Sequence, residues 1–215
     1  MSEEVLPPAA GDEKRLLRNA PVQARSAARL AALLDAAAST LDDVGMERLT
    51  TALVAERAGA SIGTVYRYFP DRVTLLQALA ERNLQRLEER IDAAIPEAVG
   101  SALDALGTVA DVVLDMFRTE PGFRSIRLGD VLDLRDAGRP EPAKARLARS
   151  IADAMTVAYD DLDAESLTAR LDIALEVLDA LITRAFVADP AGDERFLVPA
   201  RRAFLSLVDD RVLAA

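Results

Sequence analysis

Apolar residues recur every three or four positions along almost the whole chain from Val22 onward, and this spacing constrains the fold more than any other feature. Such spacing lines up apolar side chains on one face of an α-helix, whereas a half-buried strand alternates apolar and polar residues. No alternation of that kind, bounded by turn residues, occurs in the sequence. The pattern therefore predicts an all-α fold of about nine helices.

Glycines, prolines and capping residues divide this pattern into segments. Residues 1–21 contain three prolines and a glycine without a sustained period, which indicates a flexible basic arm. Residues 130–142 are predicted to form a loop because they contain Gly138, Pro140 and Pro142. The predicted helices lie at 22–44, 51–58, 62–69, 72–95, 98–118, 122–129, 143–160, 165–187 and 194–213.

Cysteine and histidine are both absent from the sequence. Without cysteine the chain has no disulfide, thiolate nucleophile or cysteine-ligated metal. Without histidine it has no imidazole base and no histidine metal ligand. An enzyme of this composition would depend on paired carboxylates or arginine, and the sequence holds no convincing pair beyond ordinary surface charge. We therefore expect no catalytic residue, no metal site and no cofactor.

The chain shows no sign of a membrane segment. No apolar run reaches the roughly 18 residues that a membrane span needs. Met1–Ala10 lacks the basic-then-apolar pattern of a signal peptide. We expect a cytoplasmic protein without a membrane partner.

Charge is distributed unevenly along the chain, whose net charge is −10. Residues 14–72 carry nine basic and six acidic side chains, whereas residues 97–215 carry 14 basic and 22 acidic ones. A negative net charge repels the phosphates of nucleic acid, so the surface as a whole is unsuited to bind it. The basic N-terminal part nevertheless leaves room for a local nucleic-acid site.

The segment from Leu49 to Arg72 carries the clearest functional pattern, a helix-turn-helix. Thr50 or Thr51 caps a short helix, Gly59 supplies the turn and Ser61 caps the next helix. On that second helix Val65 and Phe69 are expected to face inward. The outer face and N-terminus are left to Ile62, Gly63, Thr64, Tyr66, Arg67 and Tyr68, whose hydroxyls suit phosphates and whose arginine suits a guanine edge.

Residues 25–79, about a quarter of the chain, resemble the DNA-binding domain of the TetR family of bacterial transcriptional regulators. The matching residues align without a gap: Leu33, Leu34, Ala36, Ala37, Gly45, Thr50, Val54, Ala55, Ala58, Gly59, Ser61, Gly63, Thr64, Tyr66, Tyr68, Phe69, Arg72 and Leu75. The resemblance implies a helix-turn-helix domain at 22–71. It also implies a larger helical domain at 72–215 for ligand binding and dimerisation.

The resemblance implies a set of DNA contacts. Ile62, Gly63 and Arg67 would face base edges, and the other members would mainly meet phosphates. Two alternatives stay open: Arg67 could pair with Asp71 one turn away, and the cations of the arm could follow the minor groove or simply be solvated. The implied DNA-binding residues are Arg25, Arg29, Thr50, Thr51, Ser61, Ile62, Gly63, Thr64, Tyr66, Arg67, Tyr68 and Arg72.

The helix at 165–187 carries two apolar stripes, the second formed by Ile173, Val177, Ala180, Leu181 and Val187, and the last helix carries one broad apolar surface. Both patterns indicate burial on two sides. Either they lie at the centre of one bundle, or one face meets a second subunit in a four-helix interface. Candidate interface residues are Leu171, Leu175, Leu178, Ile182, Phe196 and Phe204. Candidate effector contacts, for which core packing or a helix–helix hydrogen bond is the alternative, are Asn83, Met116, Phe117, Phe123, Met155 and Tyr159.

These features favour a homodimeric repressor that a small, largely apolar ligand releases from a palindromic DNA operator. A regulator of the same fold without an inducer is the alternative within this class. An all-helical enzyme and a helical interaction module that never touches DNA are the alternatives outside it.

Overall fold

The computed structural model describes residues 10–126, 142–187 and 189–209, with side chains described from residue 24 onward. Regular structure in these ranges is helical, and they contain no strand. The predicted all-α fold is confirmed, and the described ranges contain eight α-helices. They are α1 Ala10–Val44, α2 Thr51–Arg57, α3 Ile62–Tyr68, α4 Arg72–Ala94, α5 Ala102–Thr119, α6 Ala143–Ala158, α7 Ala164–Ala185 and α8 Glu194–Val208, with a 3₁₀ turn at Met46–Arg48.

Helix α1 begins well before the predicted boundary at Val22, because it extends back to Ala10. Proline usually interrupts a helix interior, and Pro21 was therefore expected to separate an arm from the helix. The residues on both sides of Pro21 are mostly good helix formers, and the helix continues through it. The predicted start of the first helix at Val22 is thus corrected to Ala10, while residues 1–9 lie outside the described residues. The flexibility of the arm stays a prediction.

Two other predicted boundaries differ from the structure. Residues 121–125 form a turn rather than the start of a short helix, and residues 127–141, which include most of the predicted loop, lie outside the described ranges. The final helix ends at Val208 instead of continuing to residue 213.

The predicted capping residues occupy the predicted positions in the helix-turn-helix. Thr50 Oγ1 accepts from the backbone N–H of Leu53 at 3.2 Å, and Ser61 Oγ accepts from that of Thr64 at 3.2 Å. Gly59 turns the chain between α2 and α3 with φ +57°, a left-handed conformation that favours glycine. These local interactions place α2 and α3 in the arrangement that the sequence predicted.

One continuous apolar core runs from α1 to α8 and joins the N-terminal helices to the rest of the chain. Helix α7 packs against both α6 and α8. Helix α5 begins with a capping box, in which Ser101 and Asp104 satisfy each other's backbone N–H groups. None of the described helices combines the length and apolar character needed to cross a bilayer.

Candidate nucleic-acid interface

Helix α3 has one buried face and one open face. Val65 is fully buried and Phe69 is 2% exposed, which confirms that both face inward. On the other side, Ile62 is 47% and Tyr66 is 49% exposed, and Gly63 lies beside them in the open. Large apolar side chains that remain half exposed on so short a helix form a surface suited to contact with another molecule.

The hydroxyl groups near the N-termini of α2 and α3 are placed differently from one another. Thr50 and Ser61 are exposed caps, and Ser61 Oγ lies 2.9 Å from Thr64 Oγ1. Thr51, in contrast, is only 8% exposed because its side chain faces the core beside Val54. The expected contact of the Thr51 hydroxyl with phosphate is therefore corrected, and only its backbone N–H at the helix start remains a candidate.

A polar cluster joins the end of α3 to α1. The Tyr68 hydroxyl lies 3.2 Å from Ser26 Oγ, and the Arg67 guanidinium carbon lies 5.3 Å from the centre of the Tyr68 ring. The hydrogen bond with Ser26 lowers the pKa of the Tyr68 phenol, and the positive charges of Arg67 and Arg29 act in the same direction. The sequence did not indicate Ser26, because only the tertiary arrangement of α1, α2 and α3 brings it to Tyr68.

Three other arginines predicted to contact DNA, Arg25, Arg29 and Arg72, differ in exposure and in their contacts. Arg25 and Arg29 are exposed on α1, one turn apart. Arg72 is half-buried, and its Nη2 donates to the backbone carbonyl of Met46, so this side chain ties α4 to the 3₁₀ turn. A phosphate contact by Arg72 stays a prediction. Asp71, the alternative partner of Arg67, accepts from the Thr74 backbone N–H at 2.7 Å as the cap of α4.

The predicted effector contacts lie mostly inside the core. Met116, Phe117, Phe123 and Met155 are at most 2% exposed, and the Phe117 ring packs edge-on against Phe123 at 5.2 Å. These contacts match the core-packing alternative. Two open pockets lie on the described part of the chain, one of about 430 Å³ between α4 and α6 and one of about 250 Å³ between α5, α7 and the end of α8. None of the six candidates lines either pocket.

Asn83 differs from the other effector candidates. It is 3% exposed on the apolar stripe of α4, and neither its Oδ1 nor its Nδ2 has a hydrogen-bond partner. The helix–helix hydrogen bond considered from the sequence is therefore absent. Tyr159, the remaining candidate, is half-buried just after α6.

The predicted dimer residues face the interior of the protomer. Leu171, Leu175, Leu178, Ile182 and Phe204 have no exposed surface, so the assignment of these five to a subunit interface is wrong. They are buried because this stripe of α7 packs against α6 and α8 within one chain. Phe196 is half-buried, with the Arg184 guanidinium 4.9 Å from its ring centre.

The second apolar stripe of α7 faces outward. Ile173 is 59% exposed, Ala180 is exposed, and Val177 and Leu181 are half-buried. On α8, Val198 is 52% exposed.

The described residues contain no group of three or more acidic side chains placed to hold a metal ion.

Two family models match this chain, one in the N-terminal helices and one over most of the remainder. Residues 33–79 match the model described as bacterial regulatory proteins, tetR family. Residues 100–207 match the tetracyclin repressor-like C-terminal domain. The chain belongs to the tetR family. It is accordingly a DNA-binding transcription regulator and not an enzyme.

The chain is also similar to individual proteins. A crystal structure of a TetR-family transcriptional regulator from Streptomyces coelicolor superposes with a TM-score of 0.71 at 34% identity, covering 86% of this chain and 99% of that one. The nucleoid occlusion factor SlmA of Haemophilus influenzae is 32% identical over 93 residues, which are 43% of this chain and 42% of that protein. The chain thus matches less than half the length of that relative.

A structure of RolR in complex with resorcinol is similar in fold, with a TM-score of 0.56 at 20% identity, covering 88% of this chain and 96% of that one. At this level of identity the likeness concerns the fold alone.

Proposed function

We propose that this regulator is a homodimeric repressor that binds a near-palindromic operator through α3 and leaves it when a small effector binds. The observation that carries the proposal is the open face of α3, where Ile62, Gly63, Tyr66 and Arg67 lie together. Because the chain carries a net charge of −10, its affinity for DNA has to come from a few local cations rather than from a general positive field.

The roles follow from the chemistry of each side chain on this face. Arg67 is the long donor on α3 and is suited to a bidentate contact with guanine. Ile62 offers an apolar contact to a thymine methyl group, and Gly63 lets the helix backbone approach the base edges. The Tyr66 hydroxyl and the exposed Arg25 and Arg29 on α1 are suited to phosphates, which position the helix without reading sequence.

Dimerisation is proposed to use the second stripe of α7 together with the exposed face of α8. Ile173, Ala180 and Val198 leave apolar surface uncovered on two adjacent, tightly packed helices. A two-fold axis beside this surface would pair it with its own copy and form a four-helix interface. The two α3 helices would then bind half-sites whose centres lie about 34–36 Å apart.

Asn83 supports the proposal of an effector. A buried amide without a partner costs about 1–3 kcal/mol of stability, and a ligand with both a donor and an acceptor would offset that cost. Such a ligand acts as an inducer only if it prefers the conformation that cannot bind DNA, since equal binding to both states shifts nothing.

The packing of Met116, Phe117 and Met155 favours a second candidate function, a regulator of the same fold without an inducer. These side chains fill the interior of the larger domain and leave none of their surface to a ligand. The two candidates differ in one measurable property, which is whether any small molecule lowers operator affinity.

The decisive experiment measures which DNA sequences the protein selects. Wild-type protein and Arg67→Ala are each used to select sites from a random library, and Tyr66→Phe serves as the matched control because it removes one hydroxyl from the same exposed face. We expect Arg67→Ala to weaken binding by about 1–3 kcal/mol per half-site and to relax the preference at one base pair. Tyr66→Phe should weaken all sequences equally. An unchanged base preference for Arg67→Ala would refute its role as a reader.

A further inference from the structure

Three arginines spaced by four residues lie along one face of α4 and reach both α1 and the end of α5. Arg82 Nη1 lies 2.7 Å from Asp35 Oδ1 on α1. Arg86 lies between two carboxylates, with Nη2 3.8 Å from Asp35 Oδ1 and Nη1 bonded to Glu120 Oε1. Arg90 Nη2 lies 3.3 Å from the other oxygen of Glu120. We name the set Asp35, Arg82, Arg86, Arg90 and Glu120 the carboxylate–arginine relay.

Glu120 is the member that most restricts this arrangement. It caps the C-terminus of α5 and is 8% exposed, so its carboxylate is largely removed from water. A buried carboxylate needs charged or hydrogen-bonded partners, and each of its oxygens faces a different arginine of α4. Movement of the end of α5 relative to α4 would therefore separate a buried charge from its partners.

A second contact joins the same turn directly to α1. The backbone N–H of Gly122 donates to Asp42 Oδ2 at 2.9 Å. Gly122 has φ +76°, and a Cβ built on it would lie 3.1 Å from Ala38 Cα. Only glycine allows the turn to lie this close to α1. The end of α5 thus contacts the DNA-binding domain both through Arg86 and through its own backbone.

We propose that Glu120 is a positioning residue for DNA binding, and that the carboxylate–arginine relay with the Gly122–α1 contact transmits the state of the larger domain to α1 and α3. Helix α1 carries Arg25 and Arg29, and its Ser26 is bonded to Tyr68 of α3. Held by two contacts, α1 has a defined orientation relative to α5. This inference rests on the proposed function, because it assigns the relay a role in operator binding.

The test compares two variants that remove one negative charge from the same helix region. Glu120→Gln weakens the relay. Asp111→Asn breaks the pair that Asp111 forms with Arg201 at 2.7 and 3.1 Å, which joins α5 to α8 and does not involve α1. Affinity for the DNA site that the wild-type protein selects from the random library is measured by fluorescence anisotropy, together with the sedimentation coefficient and the melting temperature.

We expect Glu120→Gln to bind the fragment about tenfold more weakly while it sediments as wild type, and Asp111→Asn to bind as wild type does. Gly122→Ala gives a second route to the same result if Glu120→Gln does not fold, since it displaces the turn from Ala38 without changing a charge. The inference would be overturned if Glu120→Gln and Gly122→Ala both fold and bind DNA with wild-type affinity. It would also be overturned if Asp111→Asn lost as much affinity for DNA as Glu120→Gln. If the wild-type protein itself selects no DNA sequence, the proposed function fails instead.

Discussion

Replacing Gly63 with alanine should raise the stability of the protein and lower its affinity for DNA. Gly63 lies inside α3, and the nearest atom to a Cβ built there is Ser61 Oγ at 3.9 Å, an ordinary contact. In the protein without DNA there is therefore room for the methyl group of alanine. Glycine at this position weakens the helix, although alanine would fit without steric cost. The proposed close approach of α3 to the base edges gives a reason why glycine is present.

The expected changes in stability and in DNA affinity have opposite signs. Alanine in place of glycine stabilises a helix interior by about 0.5–1 kcal/mol. For Gly63, the second residue of α3, this is an upper bound, and in a chain of this length the melting temperature should rise by at most about 4 °C. If α3 lies in the major groove, the added methyl group overpacks the contact with the bases at a cost of about 1–3 kcal/mol per half-site. For two half-sites the loss is about 2–6 kcal/mol, at least about thirtyfold in affinity.

Calorimetry gives the melting temperature, and anisotropy with the operator fragment gives the affinity. Gly107→Ala is the matched control, because this helical glycine of α5 is buried and a Cβ there would lie 2.7 Å from Arg201 Nη2. That variant should displace the Arg201 side chain and leave DNA binding unchanged. A Gly63→Ala protein that binds the operator with wild-type affinity would refute the placement of Gly63 against the bases. A lower melting temperature would refute the helix argument.

Three other variants test the interior, the subunit interface and a helix cap. Asn83→Leu should stabilise the fold by about 1–3 kcal/mol in urea unfolding, because it removes a buried amide without a partner; destabilisation would show that the amide is satisfied. Ile173→Asp should sediment as a folded monomer, whereas Leu178→Asp should unfold, since only Leu178 is fully buried within the protomer; a dimeric Ile173→Asp would contradict the interface. Hydrogen bonds from Ser101 lower the pKa of Asp104, so its stabilising effect is complete above about pH 4 and is lost as the pH falls through the lower folded-state pKa. Acid unfolding curves should therefore be less steep for Asp104→Ala, and an unchanged slope would contradict this.

Local interactions within a few residues allowed much of the candidate interface to be predicted. Thr50 and Ser61 cap α2 and α3 wherever those helices pack, and the spacing of Val65 and Phe69 defines the inner face of α3. The outer face with Ile62, Gly63 and Arg67 follows from the same helical period. These features need no knowledge of distant residues, and the structure agrees with them.

The tertiary structure alone decided which face of each long helix lies inside the protomer. Periodicity showed that α7 has two stripes, but both are apolar, and only the positions of α6 and α8 bury Leu178 and leave Ile173 exposed. The carboxylate–arginine relay depends even more on the tertiary structure. Asp35 and Glu120 are far apart in the sequence, and they contact the same side chain, Arg86, only because α4 packs against both α1 and α5. Helical spacing determines where a side chain points around its own axis, whereas the packing of the helices determines which residue it meets there.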